Sequence, residues 1–509
     1  MPSRRSVLAA LIAGVGGALA GCSFESSDDE SPASDGETTA DATVTPTATL
    51  TPTGTPANGA SPTPTRTPSP VPTTAEPSPT ATPTATATPT AANGERVARF
   101  SGEDSQQYDE FGQSVAADGE TLFVAAPEDS HPDVGGAYGS VYVFDRVDGE
   151  WTQRAKLVPE AEALPFDYQF GTDLSVSGDR AVVGALEAVG THELPDGGAL
   201  VYERADDEWQ RTAVLRSGAG QKHDGFGRSV ALDGDRILVG APYGDRADGT
   251  GTGVAYAYAL ADGRSATDTA DRSSESERSA VEEGPAAGEW TQRAKLAPPD
   301  GGDHDRFGCS VALDGETALV GAYNFETSDG DNVGKAYLFE RADGEWGHRT
   351  TLTPTADHDH EDYFGSSVAL DGTTALVASW GDDDPNGFYA GSAYVFERIE
   401  GRWIMDTKLV PDDGEREQVF GSSVALDGDT ALVGAEHDDT ERDNAGSAYL
   451  FEPESGEWAQ RTKLLPDEGT DSDLFGTSAA LADGRGFVGA IHEESEGTDE
   501  TGAVYVFST

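Results

Sequence analysis

Only two cysteines, Cys22 and Cys309, occur in 509 residues, so no disulfide framework can hold the fold together. Lysine is almost as scarce: Lys156, Lys222, Lys295, Lys335, Lys408 and Lys463 are the whole set. With 92 Asp and Glu against 33 Lys and Arg the formal net charge is −59, which excludes a basic patch for nucleic acid and repels any anionic partner. No Asn-x-Ser/Thr sequon is present, and neither is a Gly-x-Ser-x-Gly elbow, a phosphate-cradling glycine loop or a metalloprotease spacing. These absences remove the motif-bearing enzyme classes. A site assembled from unlike residues of several segments stays open.

What is present begins with MPSRRSVLAALIAGVGGALAGC. The apolar stretch 7–20 is short for a membrane span and, after the paired Arg4 and Arg5, has the layout of a secretory signal. Ser3-Arg4-Arg5 resembles the start of a twin-arginine export signal, and Leu19-Ala20-Gly21-Cys22 resembles a lipoprotein lipobox. The resemblance implies a signal peptide over 1–21 and a lipid on Cys22, which leaves Cys309 without an intrachain partner. Residues 23–94 are Thr, Pro, Ala and Ser with almost no large apolar side chains, too little to offset the entropy of ordering, and read as a disordered stalk. As a flexible coil it spans about 50 Å, rising toward roughly 200 Å if held extended. Its threonines are possible O-glycan acceptors.

The rest of the chain repeats. Phe-Gly pairs stand at Phe111, Phe170, Phe226, Phe307, Phe364, Phe420 and Phe475, mostly 55 to 59 residues apart, with one interval of 81. A period this long marks a supersecondary unit stacked on copies of itself. Within 364–397, FGSSVALDGTTALVASWGDDDPNGFYAGSAYVFE, three strands are legible: FGSSVAL, ALVAS and AYVFE. The first two are joined by Asp-Gly, which suits a tight hairpin. That Asp follows its Phe by seven at Asp118, Asp233, Asp314, Asp371 and Asp427, and is Ser177 in the second copy. In the last copy it is Asp483, at eight, where a bulge is expected. A fourth strand starts at Trp151, Trp209, Trp290, Trp346, Trp403 and Trp458. The missing seventh is found at the other end, where ERVARF (95–100) precedes the first Phe-Gly. An N-terminal strand completing the last blade closes a ring of four-stranded sheets, a seven-bladed all-β propeller over 95–509. Cys309 takes the place of Ser366 and Ser422 and reads as a small buried residue. A polar low-complexity excursion at 261–288 interrupts one copy and reads as a disordered insertion.

FGxSVALDGDxxLVGA followed by GxAYVF resembles the FG-GAP repeat, the blade unit of the integrin α-subunit propeller and of many microbial surface proteins. The resemblance implies the fold and says little about activity, because function lives in sites grafted onto a fold. The acid excess resembles proteins of extreme halophiles, in which molar salt shortens the Debye length to about 3 Å and removes self-repulsion. The whole has the aspect of a lipoprotein of a halophilic archaeon.

Propeller topology puts the second-to-third connections and the blade-to-blade connections on one face, and here those are the long, variable segments. They are rich in acid: Asp382-Asp383-Asp384 with Asn386, Asp329 with Asp331, Asp438-Asp439, and the run Asp357-His358-Asp359-His360-Glu361-Asp362. Asp also stands two residues before Phe at Asp109, Asp224, Asp305, Asp362 and Asp473, with Tyr168 and Gln418 as the exceptions. Such oxygens could hold Ca²⁺, and the His358 and His360 pair a transition metal. Calcium-binding members of the resembled family carry an Asp-x-Asp-x-Asp-Gly loop between strands one and two, where this chain has only Asp-Gly, so acidic solvation of the loops is the simpler account.

The expectation is therefore a lipid-anchored propeller on the outer face of the cell membrane. It would be non-enzymatic and would recruit an extracellular protein or glycan through its acidic loop face. Two alternatives stand beside it: an extracellular carbohydrate-active enzyme with a site near the axis, and a structural envelope lipoprotein. A convergent acid pair at the axis favours the first alternative, and an apolar channel counts against it.

Overall fold

The computed structural model describes residues 94–509, except 132–135, 138, 160–167, 188–196, 218–223, 247–250, 262–287, 327–331, 355–360, 440–441, 467–469 and 494–500. The signal peptide, Cys22, the stalk, the interior of the 261–288 insertion, Lys222, Asp329, Asp331, Asp357, Asp359, His358 and His360 thus lie outside the described residues.

Seven four-stranded antiparallel sheets form the domain, and no helix occurs among the described residues. The inner strands Val115–Asp118, Tyr168–Ser177, Val230–Asp233, Val311–Asp314, Phe364–Asp371, Phe420–Asp427 and Phe475–Ala482 define blades 1 to 7. Each inner strand packs beside that of the next blade, and the seventh packs beside the first. The ring closes as expected: Arg96–Phe100 pairs with Ala503–Ser508 as the outer strand of blade 7. Its Phe100 reaches across the seam to Phe144 of blade 1, ring centroids 4.6 Å apart. The insertion departs from a tight neck, in which the Ala261 N–H donates to the Glu289 carbonyl (2.9 Å) and the Gly288 N–H to the Ala261 carbonyl (3.0 Å).

Alternation explains the packing. In the third strand of blade 5, Ser392–Ile399, Tyr394 and Phe396 turn to one side and meet Phe364 edge-on at 5.4 and 6.1 Å. Each Phe of a Phe-Gly pair is fully buried. The tryptophan of the outer strand reaches the preceding blade, Trp209 meeting Phe123 at 4.9 Å and Trp151 meeting Phe487 at 5.5 Å.

The glycines join blades to one another. Gly446, just before the third strand of blade 6, forms a parallel bridge with Phe475 of blade 7, and a Cβ there would lie 2.1 Å from the Phe475 carbonyl oxygen. Equivalent glycines meet the next blade's Phe in the same way all around the ring. The repeat's two signatures are thus the two halves of one inter-blade contact.

The Asp-Gly turn plays a second part. The Asp carboxylate accepts the turn glycine N–H of the next blade: Asp118 from Gly178 (2.5 Å), Asp233 from Gly315 (2.7 Å), Asp314 from Gly372 (2.7 Å) and Asp371 from Gly428 (2.6 Å). Ser177 substitutes with its hydroxyl oxygen, accepting from Gly234 at 3.2 Å.

The bulge expected at the last copy is not formed. The ladder there runs Leu481↔Gly486 and Ala482↔Arg485, in step with Leu426↔Ala431 and Asp427↔Thr430 of blade 6. No residue is inserted: the turn is two residues long in both blades, and in blade 7 it is the Asp-Gly pair itself, with Asp483 (φ 50°) and Gly484 (φ 69°) both left-handed, while Ala482 takes the place of Asp427. A register shift lies instead just after the Phe of the long inner strands, as between Phe364 and Val368.

Candidate loop-face site

Two regions could carry function: the axial channel and the loop face around its upper end. The channel encloses about 290 Å³ and is walled by stacked rings of the inner-strand residues Ser, Val, Ala and Leu. The hydroxyl ring is committed to structure: Ser229 donates to Gly308 O (2.9 Å), Ser423 to Gly476 O (2.8 Å) and Ser478 to Gly112 O (2.6 Å), each in the next blade. Asp173 replaces the serine in blade 2. Its carboxylate accepts the N–H groups of Val230 (2.7 Å) and Leu174 (2.9 Å), and burial pushes it up to about 6.

On the loop face the acids are braces before they are anything else. The residue two before Phe folds back on its own loop: Asp109 accepts the Gln106 N–H and Asp305 the Gly302 N–H, both at 2.6 Å. Asp473 does the same to Thr470. Around it the backbone is left-handed on both sides, at Glu417 (φ 63°) and Val419 (φ 58°) in blade 6 and at Tyr108 (φ 68°) and Glu110 (φ 56°) in blade 1. A β-branched residue in that region is strained, so tertiary packing imposes the conformation. Asp383 accepts the Tyr389 N–H (2.7 Å) and Asp439 the Asn444 N–H (2.7 Å), closing the loops after the second strands of blades 5 and 6. The blade 5 loop has its own aromatic core, with Tyr363 stacked on Trp380 at 4.5 Å and Tyr389 beside both.

Deeper, a buried carboxylate meets a tyrosine and a cation, and the arrangement recurs. In blade 6, Asp438 Oδ2 receives Lys463 Nζ (2.7 Å), Gln418 Nε2 (2.6 Å), Ser447 Oγ (2.6 Å) and the Tyr449 hydroxyl (2.9 Å). In blade 5, Asp382 Oδ2 receives Lys408 Nζ (2.8 Å), with Ser392 Oγ and the Tyr394 hydroxyl both at 2.6 Å. In blade 1, Lys156 Nζ lies 2.7 Å from both Asp129 and Asp104, and the Tyr142 hydroxyl reaches the same two acids. Burial, helped by the Asp129 charge, pushes Asp109 of that cluster up to about 6. Burial also raises Asp104, but the Lys156 ammonium and the Tyr142 hydroxyl outweigh it and hold that carboxyl below its ordinary range. Burial next to these anions pushes the tyrosine hydroxyls well up.

Two further acids stand apart. Glu110, beside Glu128, is pushed up to about 8 by burial and by that neighbour, and Glu436 up to about 7 by burial alone, against the opposing pull of the Thr477 hydroxyl. Neither was legible in the sequence, because nothing in the residue type distinguishes them from the many solvated acids.

Of the acids singled out in the sequence, the structure brings Asp382 and Asp438 into lysine clusters and leaves Asp384 on the surface. Among the described residues, no group of three or more His, Cys, Asp or Glu side chains converges to hold a metal ion.

The FG-GAP repeat family matches six segments: 95–144, 209–258, 290–339, 346–396, 403–451 and 458–507. The chain belongs to the FG-GAP repeat family. Each match runs from an outer strand through the next three, so the first begins with the strand that closes the ring. The first three strands of blade 2 fall outside the matches, and blade 2 is also where Leu200 replaces the cluster tyrosine and Val214 its lysine. Among curated proteins, none matches the chain.

Proposed function

We propose that the chain is a non-enzymatic FG-GAP binding module, displayed at the cell surface by a lipid on Cys22 and a Thr/Pro stalk, that recruits an extracellular protein or glycan through its loop face. The observation that carries the reading is the contrast between the two faces. The turns between first and second strands are near-identical and locked from blade to blade, whereas the loop-face segments differ in every blade over a repeated support. Variable loops on a rigid ring are how a scaffold presents a recognition surface. Support against an axial active site comes from the channel, whose hydroxyls serve the neighbouring blade and whose acids Asp173 within and Asp233, Asp314 and Asp371 at the turn-face mouth are engaged by backbone N–H groups, the rest of the inner wall being mostly Val, Ala and Leu.

The binding reading is tested by immobilising the purified chain in molar KCl and passing envelope fractions over it, intact, protease-treated or periodate-treated. Retention lost with one treatment names the ligand class. No retention from any fraction contradicts the proposal.

The carbohydrate-active alternative keeps one specific observation, the Glu110 and Glu128 pair, since a carboxyl protonated at neutral pH beside a second acid is what glycoside hydrolysis uses. It requires polysaccharide hydrolysis that Glu110→Gln abolishes.

A further inference from the structure

We infer that the resident cations of the loop-face clusters are the protein's own ammonium and guanidinium groups, so that the loops are organised without a divalent ion. This does not rest on the loop face binding anything.

Lysine placement is the first observation. Five of the six lysines are described, and all five sit at the loop-face ends of third or outer strands. In a chain that otherwise avoids lysine, these are retained where each meets an anion or a carbonyl: Lys156, Lys408 and Lys463 on buried carboxylates, Lys335 on Asp300 at 2.6 Å, and Lys295 on the Asp245 carbonyl at 2.6 Å. Asp129, Asp382 and Asp438 have side chains only 2–3% exposed, and a carboxylate so buried requires a counter-charge.

The donor set is the second. Ca²⁺ needs several oxygens offering lone pairs. Around Asp438 Oδ2 the neighbours offer hydrogens instead: an ammonium, an amide NH₂ and two hydroxyls. A divalent ion and Lys463 would compete for the same oxygen, and Gln418 would have to turn its amide around.

The blades compared with one another are the third. In blade 4 the outer-strand position of Lys463 is Thr351 and the place of Asp438 is Phe325. There the incoming-loop acid is kept as Asp300, at the place of Asp104 in blade 1 and of Asp413, which also meets Lys463 (2.8 Å), in blade 6; the ammonium now comes from the third strand, as Lys335, again with the tyrosine hydroxyl (Tyr337, 2.9 Å). Blade 7 uses Arg99 and Glu493, 2.6 Å apart. In blades 1, 4, 5, 6 and 7 alike the carboxylate is thus matched by a side-chain cation of the chain itself, whichever strand supplies it. That is the behaviour of an ion pair; a metal site would keep its acids without an ammonium among them.

The position between first and second strands, where the calcium loop of the resembled family would lie, does not fit the ion either. It is a two-residue turn, and its Asp is engaged with the next blade's glycine N–H.

The test is thermal unfolding of the full chain in molar KCl, with Ca²⁺ or EDTA added, alongside elemental analysis for bound divalent metal. The inference predicts an unmoved midpoint and no stoichiometric metal. It also predicts that Lys463→Met lowers the midpoint by several degrees and Lys463→Arg keeps most of it. Asp438→Asn combined with Lys463→Met should recover part of the loss, because the stranded charge is gone. A wild-type midpoint lowered by EDTA, or Lys463→Met as stable as wild type, overturns it. If Lys463→Met does not fold, the Ca²⁺ and EDTA arms on the wild-type chain and the double variant still decide.

Discussion

Glycine positions that look alike in the sequence do unlike work. Gly428 sits in a hairpin turn at φ +56° with open space where a Cβ would go, so Gly428→Ala should cost only about 1 kcal/mol of backbone strain. Gly446→Ala would press a methyl group onto the Phe475 carbonyl and force two blades apart, a loss of about 3 kcal/mol or more. Chemical denaturation of the two variants separates the cases, and equal losses would contradict the inter-blade reading. A second prediction concerns protons. Burial pushes Asp109, Asp173 and Asp305 up to about 6, Glu436 up to about 7 and Glu110 up to about 8, against about 4 for unfolded carboxyls. Between about pH 4 and 8 the native state therefore holds more protons than the unfolded one, so stability falls as pH rises through that window. Each such group contributes on the order of 1 kcal/mol per pH unit between its two values. Unfolding midpoints at fixed molar salt should be lower at pH 8.5 than at pH 5.5, and Glu436→Gln should flatten the slope.

At the scale of strands and turns, much was legible in advance because the signals are local. Alternation in FGSSVAL and AYVFE, the Asp-Gly turns and the unpaired ERVARF segment each report on a neighbour a few residues away or on a count that must close. The closing strand gives the third prediction. Deleting Arg96–Phe100 leaves the third strand of blade 7 with an open edge and strips Arg99 from Glu493 and Phe100 from Phe144. The ring should then lose cooperative unfolding or associate through that edge, seen as a broadened melt or a shift in size-exclusion volume. What escaped the sequence depends on the ring. That Asp371 reaches the glycine of the next blade, or that Val419 must adopt a left-handed backbone, follows from how blades meet, and no periodicity within one blade carries it. The bulge expected at Asp483 failed for a different reason: Phe475 to Gly489 spans the same 14 residues as Phe420 to Gly434, so the later Asp marks a change of turn residues and no insertion.

For the whole molecule, a formal net charge of −59 over the full chain sets the fourth prediction. The Debye length grows from about 3 Å at 1 M salt to about 10 Å at 0.1 M, so self-repulsion returns on dilution. Circular dichroism should show loss of the β signal on dialysis to low ionic strength, and an unchanged spectrum would remove the halophilic reading. The buried lysine clusters, less screened than the surface, should be the last elements to feel that change. The central claim is that the loop face, and not the turn face, is the working surface. Its most direct measurement is association of the purified chain with intact cells in molar salt, comparing two sets of charge reversals. One set is Asp384→Lys, Asp412→Lys and Glu415→Lys, exposed on the loop face between blades 5 and 6; the other is Asp148→Lys, Asp343→Lys and Glu400→Lys, exposed in the turns of the opposite face. The account predicts that the first set abolishes association and the second leaves it intact. Equal behaviour of the two sets, or loss with the second alone, would contradict it.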